Sequence, residues 1–221
     1  MIQANDKTEQ SPKHAVWFDF GGVLTPPVQQ TVAAFCARVG ASEKMLLTAM
    51  TVIAKRHGTS DIMEPLDTPL VSEEEWSRQM EAEVQDRFGV TIDMSNFGAK
   101  WFTDRDPNQE LVTYIQSLRS RGLFVGMLSN MVPSWDVLWR KMVHPDSFDQ
   151  VVKSFDVGTR KPRLEIYALA RRLAGVPAQN CILIDDLIQN IEGARQAGWK
   201  AVHYRDDNKE AIEETERLLR M

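Results

Sequence analysis

Short apolar runs recur along the chain at residues 15–20 (AVWFDF), 123–128 (LFVGML), 151–152, 181–184 (CILI) and 201–204 (AVHY). Each is too short for a core helix and has the length of a buried strand. Stretches with helical spacing separate most of them. Over 108–121 the apolar positions are Leu111, Ile115 and Leu118, and Gly122 follows as a stop. Residues 163–174 and 187–197 repeat the scheme, with Gly175 and Gly198 as stops. Strands alternating with helices predict an α/β fold, a Rossmann-like parallel sheet with helices on both faces.

The first strand breaks this rhythm. After Leu24 and the Pro26-Pro27 pair, about 80 residues pass without another strand pattern. Helices are predicted over 28–39, 42–57 and 73–88, stopped by Gly40, Gly58 and Gly89, with Ser72 and Glu75 forming a capping box for the third. The segment 59–71 contains two prolines and is a long loop, and residues 104–107 (DRDP) return the chain to the core. The expected organisation is a disordered tail over 1–13, a core of 14–26 and 105–221, and an all-helical cap domain over 27–104.

Composition narrows the function classes. With 43% hydrophobic and 26% charged residues, the 221-residue chain is expected to pack a core. The net charge of −5 argues against nucleic acid as a partner, because a polyanion is bound chiefly through a basic surface. The two cysteines, Cys36 and Cys181, suggest no disulfide framework and a reducing, cytoplasmic setting. The polar first 13 residues and the lack of any long apolar run predict a protein without a secretory signal or membrane span, present as a monomer or homodimer.

In an open parallel sheet, ligands sit beyond the carboxyl ends of the strands. Four such positions carry chemistry. Asp19 ends the first apolar run and is followed by Gly21 and Gly22, which let the backbone turn and approach a ligand closely; alone, this pattern also fits an ordinary turn. Ser129 and Asn130 follow LFVGML and offer a hydroxyl and an amide to phosphate oxygens, or cap a helix. Lys161 precedes Pro162 and supplies a positioned charge, unless it is a solvated surface lysine. Asp185 and Asp186 follow CILI, with Asn190 four residues after Asp186; adjacent carboxylates repel unless a cation neutralises them.

In this order, together with SFDVGTRKP and CILIDDLIQNIEGARQAGW, the four motifs resemble the haloacid dehalogenase-like hydrolase superfamily. The similarity runs from about residue 14 to 204 and is to the helical-cap, IA-like subgroup. The DFGGV first motif is similar to relatives of the epoxide hydrolase amino-terminal phosphatase and sugar-phosphate phosphatases. The resemblance implies a Mg²⁺-dependent phosphatase of a small phosphorylated metabolite, with Asp19 forming an aspartyl-phosphate. It also implies that Lys161, Ser129, Asn130 and the backbone of Gly22 hold the phosphate. Mg²⁺ would be held by Asp19, the Gly21 carbonyl and Asp186, with Asp185 and Asn190 in support, and cap residues would choose the substrate.

One position departs from the superfamily pattern. The acid/base aspartate usual two residues after the nucleophile is replaced by Gly21. Two alternatives therefore stand beside the phosphatase: a phosphate-binding or interaction module that has lost turnover, and a 2-haloacid dehalogenase needing no metal. The carboxylate pair at 185–186 weighs against the dehalogenase.

Overall fold

The structure, a computed structural model, describes residues 13–221. The expected tail lies outside the described residues except for Lys13. Five parallel strands, β1 (Ala15–Phe18), β2 (Phe124–Ser129), β3 (Gln150–Lys153), β4 (Cys181–Asp185) and β5 (Lys200–His203), form one sheet in the order β3-β2-β1-β4-β5. From central β1 the chain moves outward to β2 and β3, then crosses to β4 and β5 on the other side. The reversal between β1 and β4 opens a crevice at their carboxyl ends.

The runs carry no polar alternation because both sheet faces are buried. Val16 and Phe18 point into one apolar cluster, with Leu111, Ile115 and Leu118 of α6 (Gln109–Ser120) and Leu218 of α11 (Asn208–Leu219). Ala15 and Trp17 point into the other, with Ile166 and Tyr167 of α9 (Leu164–Ala174) and Ile191 of α10 (Ile188–Gln196). Gly126 in β2 makes room for this second layer, since a Cβ there would lie 2.3 Å from the Trp17 ring.

Between β1 and β2 the chain forms α1 (Val28–Val39), α2 (Glu43–Arg56), α3 (Glu64–Asp67), α4 (Glu73–Phe88) and α5 (Phe97–Phe102) before α6. The insertion has its own apolar cluster, including Phe35, Ile53, Trp76, Met80 and Phe97, and it reaches the core at Val132 and Trp135. Trp101 stacks on Trp135 with centroids 5.6 Å apart and planes 10° from parallel.

Several sequence expectations need correction. The loop at 59–71 contains the single turn α3. The Ser72 hydroxyl does accept from the Glu75 N–H, but the Glu75 side chain bonds Gln79 and Arg78, so only half of the capping box forms. Besides α3, four further helices were not anticipated: α5, α7 (Asp136–Met142), α8 (Ser154–Val157) and α11. Among the described residues no helix is long and apolar enough to cross a membrane. Cys36 and Cys181 are free and buried.

Candidate active site

Asp19 leaves β1 at the switch point, its N–H bonded to the Ile184 carbonyl of β4 at 2.9 Å. The turn that follows is held by Thr25, whose Oγ1 accepts from the Gly22 N–H at 3.1 Å and donates to the Phe20 carbonyl at 3.3 Å. Gly22 has φ +77°, and a Cβ on it would stand 2.4 Å from Asp186 Oδ2. A side chain there is therefore excluded twice, by backbone strain and by the carboxylate. Gly21 differs, with φ −72° and ψ 123° and nothing within 4 Å of a Cβ. Gly22→Ala is expected to lose more than the ~1–2 kcal/mol of left-handed strain alone, whereas Gly21→Ala should stay within about 0.5 kcal/mol of wild type. Urea denaturation of the two variants checks this, and equal stabilities would contradict the close approach.

Lys161 is 1% exposed and bridges two carboxylates, Asp19 Oδ1 at 2.8 Å and Asp185 Oδ2 at 2.5 Å. Burial pulls its pKa down, but the charges of Asp185 and Asp19 outweigh this and raise it above the ordinary lysine range. Asn130 fixes the backbone of Lys161 from both sides: Oδ1 accepts the Lys161 N–H and Nδ2 donates to the Lys161 carbonyl, each at 2.9 Å. Its amide thus positions the lysine. Ser129, 3% exposed, has only a 3.5 Å contact to the Asn130 carbonyl and keeps its hydroxyl for a ligand.

The two adjacent carboxylates have different surroundings. Asp185 is fully buried, with Oδ1 accepting from the Leu187 N–H and Asn190 Nδ2, and Oδ2 from Lys161 and Asn190. Asp186 Oδ1 is buried without a partner. Burial and the neighbouring carboxylates raise the pKa of Asp186, and burial with Asp185 raises that of Asp19 against the pull of Lys161. Oxygens of Asp19, Asp185 and Asp186 lie within 4.8 Å of one another. One lysine among three carboxylates, with a buried oxygen unpartnered, fits a hard divalent cation.

Asp19, Gly21, Ser129, Asn130, Lys161, Asp186 and Asn190 line one cavity of about 280 Å³ between sheet and insertion. Gly22 does not line it, and its N–H is already given to Thr25.

Sequence reasoning gave no role to four charged residues that also line this cavity, Arg160, Asp67, Arg105 and Glu43. Arg160 is 6% exposed and pairs with Asp61 at 2.7 Å and Asp67 at 3.0 Å, tying the insertion to the segment that carries Lys161. Burial holds Asp67 up at about 7 in spite of Arg160. Arg105 lies over the rings of Trp101 and Phe102 and donates to Thr25 Oγ1 at 2.5 Å; burial pulls it down to about 10. Arg160 stands beside Lys161 in the sequence, but its partners lie about 100 residues away in the segment expected to be a plain loop, so no local signal marked it.

The family model for haloacid dehalogenase-like hydrolase matches residues 13–198. Among curated relatives, phosphatase MT3486 of Mycobacterium tuberculosis is 34% identical over 39% of this chain and 41% of its own length. Sesquiterpene phosphatase astK of Aspergillus oryzae is 28% identical over 45% and 52%, respectively. A glyceraldehyde 3-phosphate phosphatase of Methanothermobacter thermautotrophicus is 32% identical over 42% of each chain. The match thus spans about half the length of these relatives or less. At the level of fold, a predicted HAD-like family hydrolase from Porphyromonas gingivalis aligns with TM-score 0.68 and 22% identity, covering 96% of this chain and all of that one. The enzyme bt-2542 of Bacteroides thetaiotaomicron, in complex with magnesium and inorganic phosphate, aligns with TM-score 0.58 and 19% identity over 87% and 94%. With the family model covering most of its length and the same sheet-and-insertion fold in solved structures, this chain belongs to the haloacid dehalogenase-like hydrolases.

Proposed function

We propose that the protein is a Mg²⁺-dependent phosphatase acting through an aspartyl-phosphate on Asp19. The observation that carries this reading is the buried Lys161 bridging Asp19 and Asp185 beside the unpartnered oxygen of Asp186. It is supported by relatives named as phosphatases and by the magnesium and phosphate of the bt-2542 complex. The subgroup assignment is part of the proposal: residues 27–104 act as the helical cap over a core of 14–26 and 105–221, and the DFGGV motif is of the epoxide hydrolase amino-terminal kind.

Each side chain then has a task. Asp19, the Gly21 carbonyl and Asp186 hold Mg²⁺, which when bound neutralises the carboxylates and the incoming phosphate. Asp185 and Asn190 serve by holding Lys161 and each other. Lys161 and Ser129 bind phosphate oxygens, Lys161 also fixing one oxygen of Asp19 so that the carboxylate is aimed at phosphorus. The carboxylate attacks, a new Asp19 O–P bond forms, and the ester P–O bond breaks. The leaving oxygen takes its proton from water, and a second water then attacks phosphorus and gives its proton to the hydroxide left by the first. Cleavage of the Asp19 O–P bond returns the carboxylate and releases phosphate. Mg²⁺-dependent phosphate release from an aryl phosphate, abolished by chelator, tests the reading. Chloride release from chloroacetate without metal would instead favour the dehalogenase.

The open space at Gly21 yields a second expectation. A positioned acid supplies about 10²–10⁴ in rate, and this chain has none at position 21. The single-turnover rate should therefore fall steeply as leaving-group pKa rises across aryl and alkyl phosphates. Gly21→Asp has room for its side chain and an ordinary backbone conformation, so it should flatten that slope and gain most for alkyl esters. A flat line in the unaltered protein would mean that another acid already serves.

A further inference from the structure

We infer that the substrate is the phosphate monoester of an apolar alcohol, whose hydrocarbon chain lies in the cavity between Asp19 and the insertion. The inference rests on the phosphatase reading, because the chain is assigned as the leaving group of the ester attacked by Asp19.

The cavity is strongly polarised. Its uncharged polar side chains, Ser129, Asn130 and Asn190, all lie on the sheet side with Asp19, Lys161 and Asp186. Above them the walls are Val32, Phe35, Leu46, Phe97, Trp101 and Trp135. The insertion contributes no serine, threonine, asparagine, glutamine, histidine or tyrosine to this lining. The unpartnered groups along these walls are few: Trp76 Nε1, Trp135 Nε1, Asp67 Oδ1 and the Nε atoms of Arg105 and Arg160. A polyhydroxylated leaving group would therefore bury most of its hydroxyls against apolar side chains, whereas a hydrocarbon brings no polar group to be satisfied.

The charges that do line the cavity do not alter this. Arg160 is neutralised by Asp61 and Asp67. Arg105 is drawn toward Thr25 and the nucleophile turn, at the anionic end. Glu43 is exposed and sits at the rim with Leu47, which is 42% exposed.

Five methionines, Met50, Met63, Met80, Met94 and Met131, also line the cavity, half of the ten in the chain. Such side chains are apolar and conformationally adaptable, and they repack around chains of differing shape. Continuity with the site selects the occupant: the apolar walls and the nucleophile belong to the same cavity, so an apolar group placed there is attached to the phosphate that Asp19 attacks.

The test is a series of n-alkyl monophosphates from ethyl to decyl, with Mg²⁺ and below micelle-forming concentrations. Leaving-group pKa hardly changes along this series, so the absence of an acid at Gly21 does not distort the comparison. We expect kcat/KM to rise about fourfold per methylene until the cavity is filled, and glycerol phosphate to fall below its alkyl counterparts. Met50→Glu should flatten the rise. A second arm needs no turnover: decanol alone should shift the emission of the cavity tryptophans in the full chain. If an aryl phosphate is hydrolysed with Mg²⁺ but the alkyl series is flat, the apolar assignment is overturned and the phosphatase reading stands. If no ester is hydrolysed yet decanol shifts the emission, the phosphatase reading fails and the cavity is still an apolar binding site. If decanol has no effect and the series is flat, the inference is wrong.

Discussion

Replacing Asp19 with asparagine should abolish phosphate release, by roughly 10⁴-fold or more, the order lost when a covalent nucleophile is removed. The same substitution should leave the fold intact. Burial and Asp185 push the Asp19 carboxyl upward, so in the metal-free protein its charged form costs stability above its raised pKa. A group with a raised folded pKa contributes most at low pH and loses that contribution as pH rises. Asparagine keeps the shape and carries no charge, and Lys161 retains Asp185 at 2.5 Å. Metal-free Asp19→Asn should therefore be at least as stable as wild type at pH 8, with any advantage shrinking on acidification. Parallel phosphate-release assays and urea titrations check both halves. Loss of activity together with collapse of the fold would make Asp19 structural.

Lys161→Met should damage both stability and rate. In the unaltered protein the ammonium sits between two carboxylates with almost no solvent access. Its removal leaves Asp19 and Asp185 buried without their cation, and breaking such an arrangement by deleting one partner costs about 3–5 kcal/mol. The deficit should be largest above neutral pH and shrink as pH falls, because a proton can then replace the missing charge. Turnover should drop by about 10²–10³, the usual cost of losing a preorganised charge at a transition state. Denaturant titrations across pH give the first quantity and phosphate release the second. A variant as stable and as active as wild type would remove Lys161 from the site.

These expectations could be framed from the sequence because the strand ends carry their chemistry in short, ordered motifs. The apolar runs located all five strands to within one or two residues. Strands β1 and β4 are buried along their whole length, and the edge strands β3 and β5 were marked by their apolar central residues although Gln150, Lys153, Lys200 and His203 sit at their ends. Helices with large apolar residues on one face, such as α1 and α4, were equally legible. Helix α11 went unread although Ala211, Ile212, Leu218 and Leu219 recur at helical spacing and pack on the core. The single turn α3 and the aromatic-rich α5 were too short to show a period.

At the site, residue types were legible and their division of labour was not. Nothing in the string Asp185-Asp186 says that the first is saturated by Lys161, Asn190 and a backbone N–H while the second keeps an oxygen free. The Leu187 N–H and Asn190 are local, but the ammonium that settles the difference comes from Lys161, 24 residues away. The same is true of Asn130, which grips the backbone of Lys161, 31 residues away. The apolar cavity was hidden for a related reason. Trp101 and Trp135 are 34 positions apart, on either side of β2, and only the folded insertion stacks them.

The central claim is that Asp19 carries the phosphoryl group during turnover. The most direct measurement is to mix the protein with Mg²⁺ and an excess of nitrophenyl phosphate, quench in acid within one turnover, reduce with borohydride and map the peptides. The account predicts homoserine at position 19, the reduction product of an aspartyl-phosphate, and none in Asp19→Asn. Phosphate release at full rate with unmodified Asp19 at every quench time, or homoserine at position 185 or 186 instead, would contradict it.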